Sequence, residues 1–187
     1  LGIPTFGSDP RLADLGTKTG CRRIFETLGV TCPVGAEDLH DVDDIAAAIQ
    51  DMRRRRPTLA QAIVKINEGV SGSGNAIVDD YLEAFAHHGG IVEERISGTA
   101  LTSPSVQMRA MPDGSVELLS THDQLLGGAS GQTYLGCIFP ANPEYAAAIA
   151  APAMTIGRHL AGLGVLGRFA VDLVTVQDET GHWTAYA

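Results

Sequence analysis

A net charge of −9 over 187 residues lacks the basic footprint of a non-specific nucleic-acid or membrane-surface binder, and 44% hydrophobic residues exclude a disordered chain. The three cysteines, Cys21, Cys32 and Cys137, stand far apart without metal-like pairing, so neither a disulfide framework nor a zinc site is expected. No apolar run approaches the ~20 residues that span a bilayer and Leu1-Gly2-Ile3-Pro4 does not read as a signal peptide, so the expectation is a cytoplasmic protein in a reducing compartment.

Residues 17–28 place Cys21, Ile24, Phe25 and Leu28 on one helical face with Gly29 beyond, which predicts a first helix. A second helix opens on Asp41, Asp43 and Asp44 and closes on four consecutive arginines before Pro57, with acids at the positive end of its dipole and bases at the negative end. That arrangement accounts for the one basic run without a binding patch. Next comes AIVKINEGVSGSGNAIVD, residues 62–79, whose apolar flanks predict a hairpin with Lys65 near the mouth of its turn. A tight hairpin closes with about two residues. Here Gly69, Val70, Ser71, Gly72, Ser73, Gly74 and Asn75 make a long loop almost free of side chains. Glycine lets backbone N–H groups approach an anion, serine adds hydroxyl donors and the lysine supplies charge, so the loop reads either as a phosphate cradle or as a surface hairpin. Its order fits neither Walker A, whose lysine follows the last glycine, nor a dinucleotide fingerprint, which needs a helix behind the turn.

Asp79 or Asp80 caps a third helix ended by Gly89 and Gly90, where His87 and His88 suit the helix C-terminus, and residues 91–96 follow as a strand. Residues 105–111 and 115–120 predict a hairpin around Pro112, Asp113 and Gly114. A glycine-rich stretch at 127–132 comes next; Asn142 and Pro143 then begin a last helix, which Pro152 should kink or divide. Two strands, 169–176 and 182–187, finish the chain, and both chain ends look cut, as in a fragment of a larger protein. Strands reached by hairpins, with helices interspersed irregularly, predict an α+β fold with mainly antiparallel sheets. If the loop holds a triphosphate, the chain should also offer a magnesium ligand, because that ion prefers carboxylate oxygens and bridges phosphates. Asp172, an acid in the apolar strand GRFAVDLV, is the candidate; the alternative is an edge-strand acid facing water. His122 and Asp123 are read either as substrate contacts or as parts of a hydrogen-bonded loop.

Four stretches in this order, GTKTGCRRIFETLGVTCPVG, AIVKINEGVSGSGNAIV, IVEERISG and GRFAVDLV, resemble the ATP-grasp superfamily over nearly the whole chain. SPSVQ and STHDQLLGGASGQTYLGCIFP resemble its peptide-ligase branch of the pheganomycin type. The resemblance implies two α+β lobes sandwiching nucleotide: residues 1–16 end a preceding domain or linker, 17–98 form the small lobe, and 99–187 form a truncated large lobe. It also implies ATP and Mg2+ as cofactors. Lys18 and Lys65 match the two nucleotide-binding lysines, while Gly69, Ser71, Gly72, Ser73 and Gly74 belong to the flexible loop over the phosphates. Glu93, Glu94 and Ile96 match the segment between the lobes that holds adenine, and Asp172 matches the first metal-binding acid. The catalytic arginine falls to Arg168, displaced by two residues from its usual place, where Ala170 stands. The ribose-holding acid has no match near Ala100, and the Glu-x-Asn pair that completes the family's metal site falls beyond Ala187. The implied activity is an ATP-dependent carboxylate-amine (peptide) ligase acting through an acyl phosphate on small-molecule or peptide substrates, with no nucleic-acid or membrane partner. A nucleotide-binding domain without ligase activity and a plain interaction module are the alternatives.

Overall fold

Thr17 takes an extended backbone and its hydroxyl accepts from the Gly20 N–H, so helix α1 (Lys18–Leu28) begins where the sequence places it, and Gly29 at φ 64° ends it. The computed structural model describes residues 6–68, 78–98, 100–128, 131 and 133–187. After α1 come β1 (Gly35–Leu39), α2 (Val42–Arg55), β2 (Ala62–Ile66), α3 (Val78–His88) and β3 (Gly90–Glu94). Asp41 caps α2 by accepting from the Asp44 N–H. The three strands form an antiparallel sheet in the order β1-β3-β2. On one of its faces Leu39 and Val92 meet Ala48 and Met52 of α2 and Phe85 of α3, a cluster in which Met52 and Val92 are fully buried.

The expected hairpin within residues 62–79 is not what β2 forms. Its partner is β3, and Val78 opens α3 instead of ending a strand. The glycine loop itself, with the rest of residues 69–77, lies outside the described residues. The pairing follows burial: β3 is the central strand, with Gly90, Ile91, Val92 and Glu93 all buried, so it supplies a partner covered on both faces.

The second half of the chain holds β4 (Ala100–Thr102), β5 (Pro104–Ala110), β6 (Val116–Gly127), β7 (Thr133–Ile138), α4 (Ala146–Gly162), β8 (Gly167–Asp172), β9 (Val174–Gln177) and β10 (Trp183–Tyr186). The single strand expected at 169–176 breaks at Leu173 into β8 and β9, which belong to different sheets. Pairing keeps one register through the break, from Thr102 opposite Thr175 to Ser105 opposite Asp172, and the Leu173 N–H donates to the Pro104 carbonyl at 2.8 Å. One antiparallel ribbon thus bends from the sheet β10-β9-β4 into the sheet β7-β6-β5-β8. Leu173 and Thr175 are buried at the bend.

Helix α4 covers one face of the four-stranded sheet, where Ile149, Ala153 and Ile156 pack with Val106, Met108 and Val171. It runs undivided through Pro152, because buried residues on both sides of the proline hold one continuous face against the sheet. The start also differs from expectation: Asn142 and Pro143 organise a turn, and the helix begins at Ala146. Ile24 of α1 joins this larger core, while Arg22 of the same helix reaches toward Glu93 of the small sheet. Helix α1 therefore lies between the two halves. No helix among the described residues is long and apolar enough to cross a membrane.

Candidate functional site

Asn67 stands between β2 and the glycine loop and ties the root of that loop to α1. Its carbonyl accepts from the Lys18 N–H at 3.4 Å and its Oδ1 from the Thr19 N–H at 2.9 Å, while its Nδ2 donates to the His88 carbonyl at 2.9 Å. Lys18, in the first turn of α1, is thereby held beside the start of the loop that contains Gly69, Ser71, Gly72, Ser73 and Gly74, residues not described here.

Lys65 and Glu93 share one face of the small sheet, since Ile63 lies opposite Glu93 and Lys65 opposite Ile91. The Lys65 ammonium meets Glu93 Oε1. The other oxygen, Oε2, lies 3.5 Å from Nη1 of Arg22. Arg22 is 3% exposed, and its guanidinium also reaches the Pro33 carbonyl at 3.1 Å, Glu26 at 3.2 Å and Glu37 at 3.4 Å. Glu94 points to the opposite face, 2.5 Å from Arg56 at the end of α2, so the strand pleat divides the two acids that the sequence places side by side. Ile96 is half-buried in the segment that carries the chain from β3 to β4. Gly98 in that segment packs so closely on β9 that a Cβ there would stand 2.1 Å from Val176 Cγ2.

Across the four-stranded sheet, the face away from α4 is polar. Arg168, Ala170 and Asp172 are exposed on β8, Asp172 lies opposite Ser105, and Ser105 lies opposite His122. Asp172, Ser105 and His122 thus form one row over three strands. Arg168 shares the face but is four residues from Asp172, about 13 Å along the strand. It lies opposite Arg109, which pairs with Glu117 at 2.6 Å. The structure does not bring Arg168 and Asp172 together. Asp123 faces the other way: its Oδ1 accepts from the Tyr145 hydroxyl at 2.7 Å and its Oδ2 from the Asn142 N–H at 3.0 Å. It anchors the start of α4 from within β6, which runs on through residues 121–127, so the expected hydrogen-bonded loop at this point is a strand and only the hydrogen bonding of that reading is present. Burial, reinforced by Asp123, pushes the Tyr145 phenol up to about 12.

Lys18 and Asp172 act on the same thiol. Burial pushes Cys21 up from its ordinary value, Lys18 pulls it down and Asp172 pushes it further up. Among the described residues no group of three or more His, Cys, Asp or Glu could hold a metal ion. A single exposed carboxylate still fits magnesium, which joins one or two carboxylates to substrate phosphates and water. Sequence reasoning passed over Arg22 and Asn67. An arginine four residues before a glutamate reads as a surface pair, whereas an asparagine at a strand end before a glycine loop was a usable signal.

Antiparallel sheets in two α+β halves, joined by the packed segment after β3 and bridged by α1, define an ATP-grasp fold. The chain superposes on the biotin carboxylase domain of Hydrogenobacter thermophilus 2-oxoglutarate carboxylase, solved with MgADP, ADP and bicarbonate, with a TM-score of 0.69, 18% identity and coverage of 98% of this chain and 42% of that chain. Staphylococcus aureus N5-carboxyaminoimidazole synthetase complexed with ADP gives a TM-score of 0.65 and 14% identity, covering 94% of this chain and 44% of that chain. The chain belongs to the IQCH-like ATP-grasp family, whose model matches residues 10–80 and 78–184. Among curated relatives, IQ motif-containing protein H of Danio rerio is 24% identical over 95% of this chain and 22% of its own length. The L-propargylglycine--L-glutamate ligase of Streptantibioticus cattleyicolor is 29% identical over 91% of this chain and 40% of its own length. The chain thus spans less than half of either relative. These matches bear out the resemblance to ATP-grasp proteins and to their ligase branch.

Proposed function

We propose that this chain is the nucleotide-binding part of an ATP-dependent ligase that joins a carboxylate to an amine through an acyl phosphate. The observation that carries the reading is the placement of the two lysines: Lys65 is held by Glu93 on the small sheet, and the Lys18 N–H is held by the Asn67 carbonyl at the root of the glycine loop. Together with Asp172, exposed on β8, they support a charge set suited to a magnesium triphosphate. In this reading residues 17–98 form the small lobe and 99–187 the large one. Lys18, Lys65 and the backbone of the glycine loop bind and orient the phosphates, and Ile96 with the Glu93–Glu94 segment holds the base. Asp172 holds magnesium, which supplies charge neutralisation when bound.

A carboxylate oxygen of the substrate attacks the γ-phosphorus and ADP leaves. The amine then attacks the acyl carbon, and phosphate departs carrying the oxygen that came from the carboxylate. No covalent side-chain nucleophile is needed; placement and charge carry the chemistry. The catalytic arginine of the resemblance is assigned to Arg168, exposed on the same face of β8 as Asp172. The relative named for L-propargylglycine and L-glutamate supports amino acids as the substrate class.

The test is phosphate release by the full-length protein with MgATP and pairs of L-amino acids. Release that needs both partners, with one 18O passing from labelled carboxylate to phosphate, is expected. Release without 18O transfer would overturn the acyl phosphate. The match to the IQCH-like ATP-grasp family model and to IQ motif-containing protein H supports a second reading as a nucleotide-binding domain without ligase activity. ATP binding without amine-dependent phosphate release would support it.

A further inference from the structure

Arg22 and Glu93 are the buried charged residues of the described chain, at 3% and 9% exposure. A buried guanidinium is tolerated only when its donors are used, and Arg22 uses them on Glu26, Glu37, Glu93 and the Pro33 carbonyl. The backbone makes room for it. A Cβ on Gly35 would stand 2.8 Å from Arg22 Nη1 and 2.5 Å from the Val92 carbonyl oxygen, so β1 passes this point only as glycine.

Glu26 and Glu37 already supply carboxylates for the Arg22 charge. Glu93 is different, because its second oxygen holds the Lys65 ammonium. A lysine is a point charge on a flexible four-carbon stem, so where its ammonium sits depends on the partner that holds it. That partner is itself fixed by Arg22. We propose that Arg22 is a positioning residue: anchored in α1, it fixes the Glu93 carboxylate and through it the Lys65 ammonium, which the proposed function assigns to the nucleotide. The assignment of a ligand rests on that function; the chain of contacts does not.

Lys18 and Lys65 are the two lysines of the sequence, so acylation by an amine-reactive reagent, read by mass spectrometry, reports on each separately. In nucleotide-free protein, Glu93→Gln should speed acylation of Lys65 relative to Lys18 by about threefold to tenfold, as expected when a charge-assisted contact of a partly exposed ammonium is lost, and Arg22→Met should do so to a smaller extent, because the released Glu93 carboxylate no longer holds the ammonium in one place. The double variant should exceed the larger single effect by no more than about twofold, because both changes cut the same connection. Arg22→Lys keeps the charge but has three donors instead of a five-donor fork, so it should fall between wild type and Arg22→Met. If Arg22→Met does not fold, Arg22→Lys takes its place in the cycle. The same variants should weaken MgATP binding about tenfold to a hundredfold, again without adding. Unchanged Lys65 acylation in Arg22→Lys and Arg22→Met, or effects that add in full with Glu93→Gln, would overturn the proposal. The expected acylation pattern in a wild-type protein that binds no ATP would leave Arg22 its positioning role and remove the proposed function.

Discussion

Replacing Lys65 with methionine removes the ammonium while keeping an unbranched stem of similar length. The Lys65 side chain is 35% exposed, so its contact with Glu93 is partly screened. Glu93 is not stranded by the change, because Arg22 Nη1 remains 3.5 Å from its other oxygen. The loss of folding stability should therefore be about 1 kcal/mol, well short of the ~3–5 kcal/mol that follows when a buried charge loses its only partner. Binding is another matter. A charge-assisted contact to nucleotide is worth ~1.5–3 kcal/mol, which converts to a Kd raised about tenfold to 150-fold. Arg54→Ala is the control: its side chain is 71% exposed and pairs with Asp51 at 3.1 Å, so both stability and binding should move by no more than about 0.5 kcal/mol. Titration calorimetry with MgATP, alongside thermal unfolding, reads both quantities. Equal losses of ATP affinity in the two variants would refute the placement of Lys65 at the nucleotide.

Asp172→Asn should abolish turnover in the full-length protein and change stability by less than about 0.5 kcal/mol, because Asp172 is exposed on β8; wild-type turnover would remove it from the metal site. Tyr145→Phe should cost about 1.5–3 kcal/mol in urea unfolding, since the hydroxyl is buried against the Asp123 carboxylate. Folding raises the Tyr145 phenol from its ordinary 10 to about 12, so its contribution should be complete below pH 10 and vanish as pH rises toward 12, where wild type and Tyr145→Phe should converge. Gly35→Ala should destabilise by about 1–3 kcal/mol, whereas Gly16→Ala, with no atom within 4 Å of the new Cβ, should be nearly neutral in the same assay.

Features set by neighbouring residues were legible in the sequence. Thr17 caps α1, Asp41 caps α2, and Gly114 at φ 82° closes the Met111–Ser115 turn, each because a short polar side chain or a missing Cβ satisfies the backbone locally. Ordered motifs likewise reached the fold, since the family model matches the chain over residues 10–80 and 78–184, which hold all four stretches of the resemblance. Strand partners were not legible. Apolar flanks say that residues 62–66 pair with something, but β3 wins because it is buried on both faces, a property set by α1, α2 and α3 rather than by the flanks. The break at Leu173 is hidden for the same reason: an apolar residue in an apolar run marks a bend only when two sheets meet there. Glu93 and Glu94 look alike in sequence, and the pleat sends one to Lys65 and Arg22 and the other to Arg56. Arg22 is the clearest case. Its neighbours along α1 describe an exposed pair with Glu26, and only the approach of β1 and β3 turns it into a buried charge on which the position of Lys65 depends. Local chemistry fixes how a backbone begins, turns and stops, whereas burial of charge is decided by what packs over it, and that is a property of contacts distant in sequence.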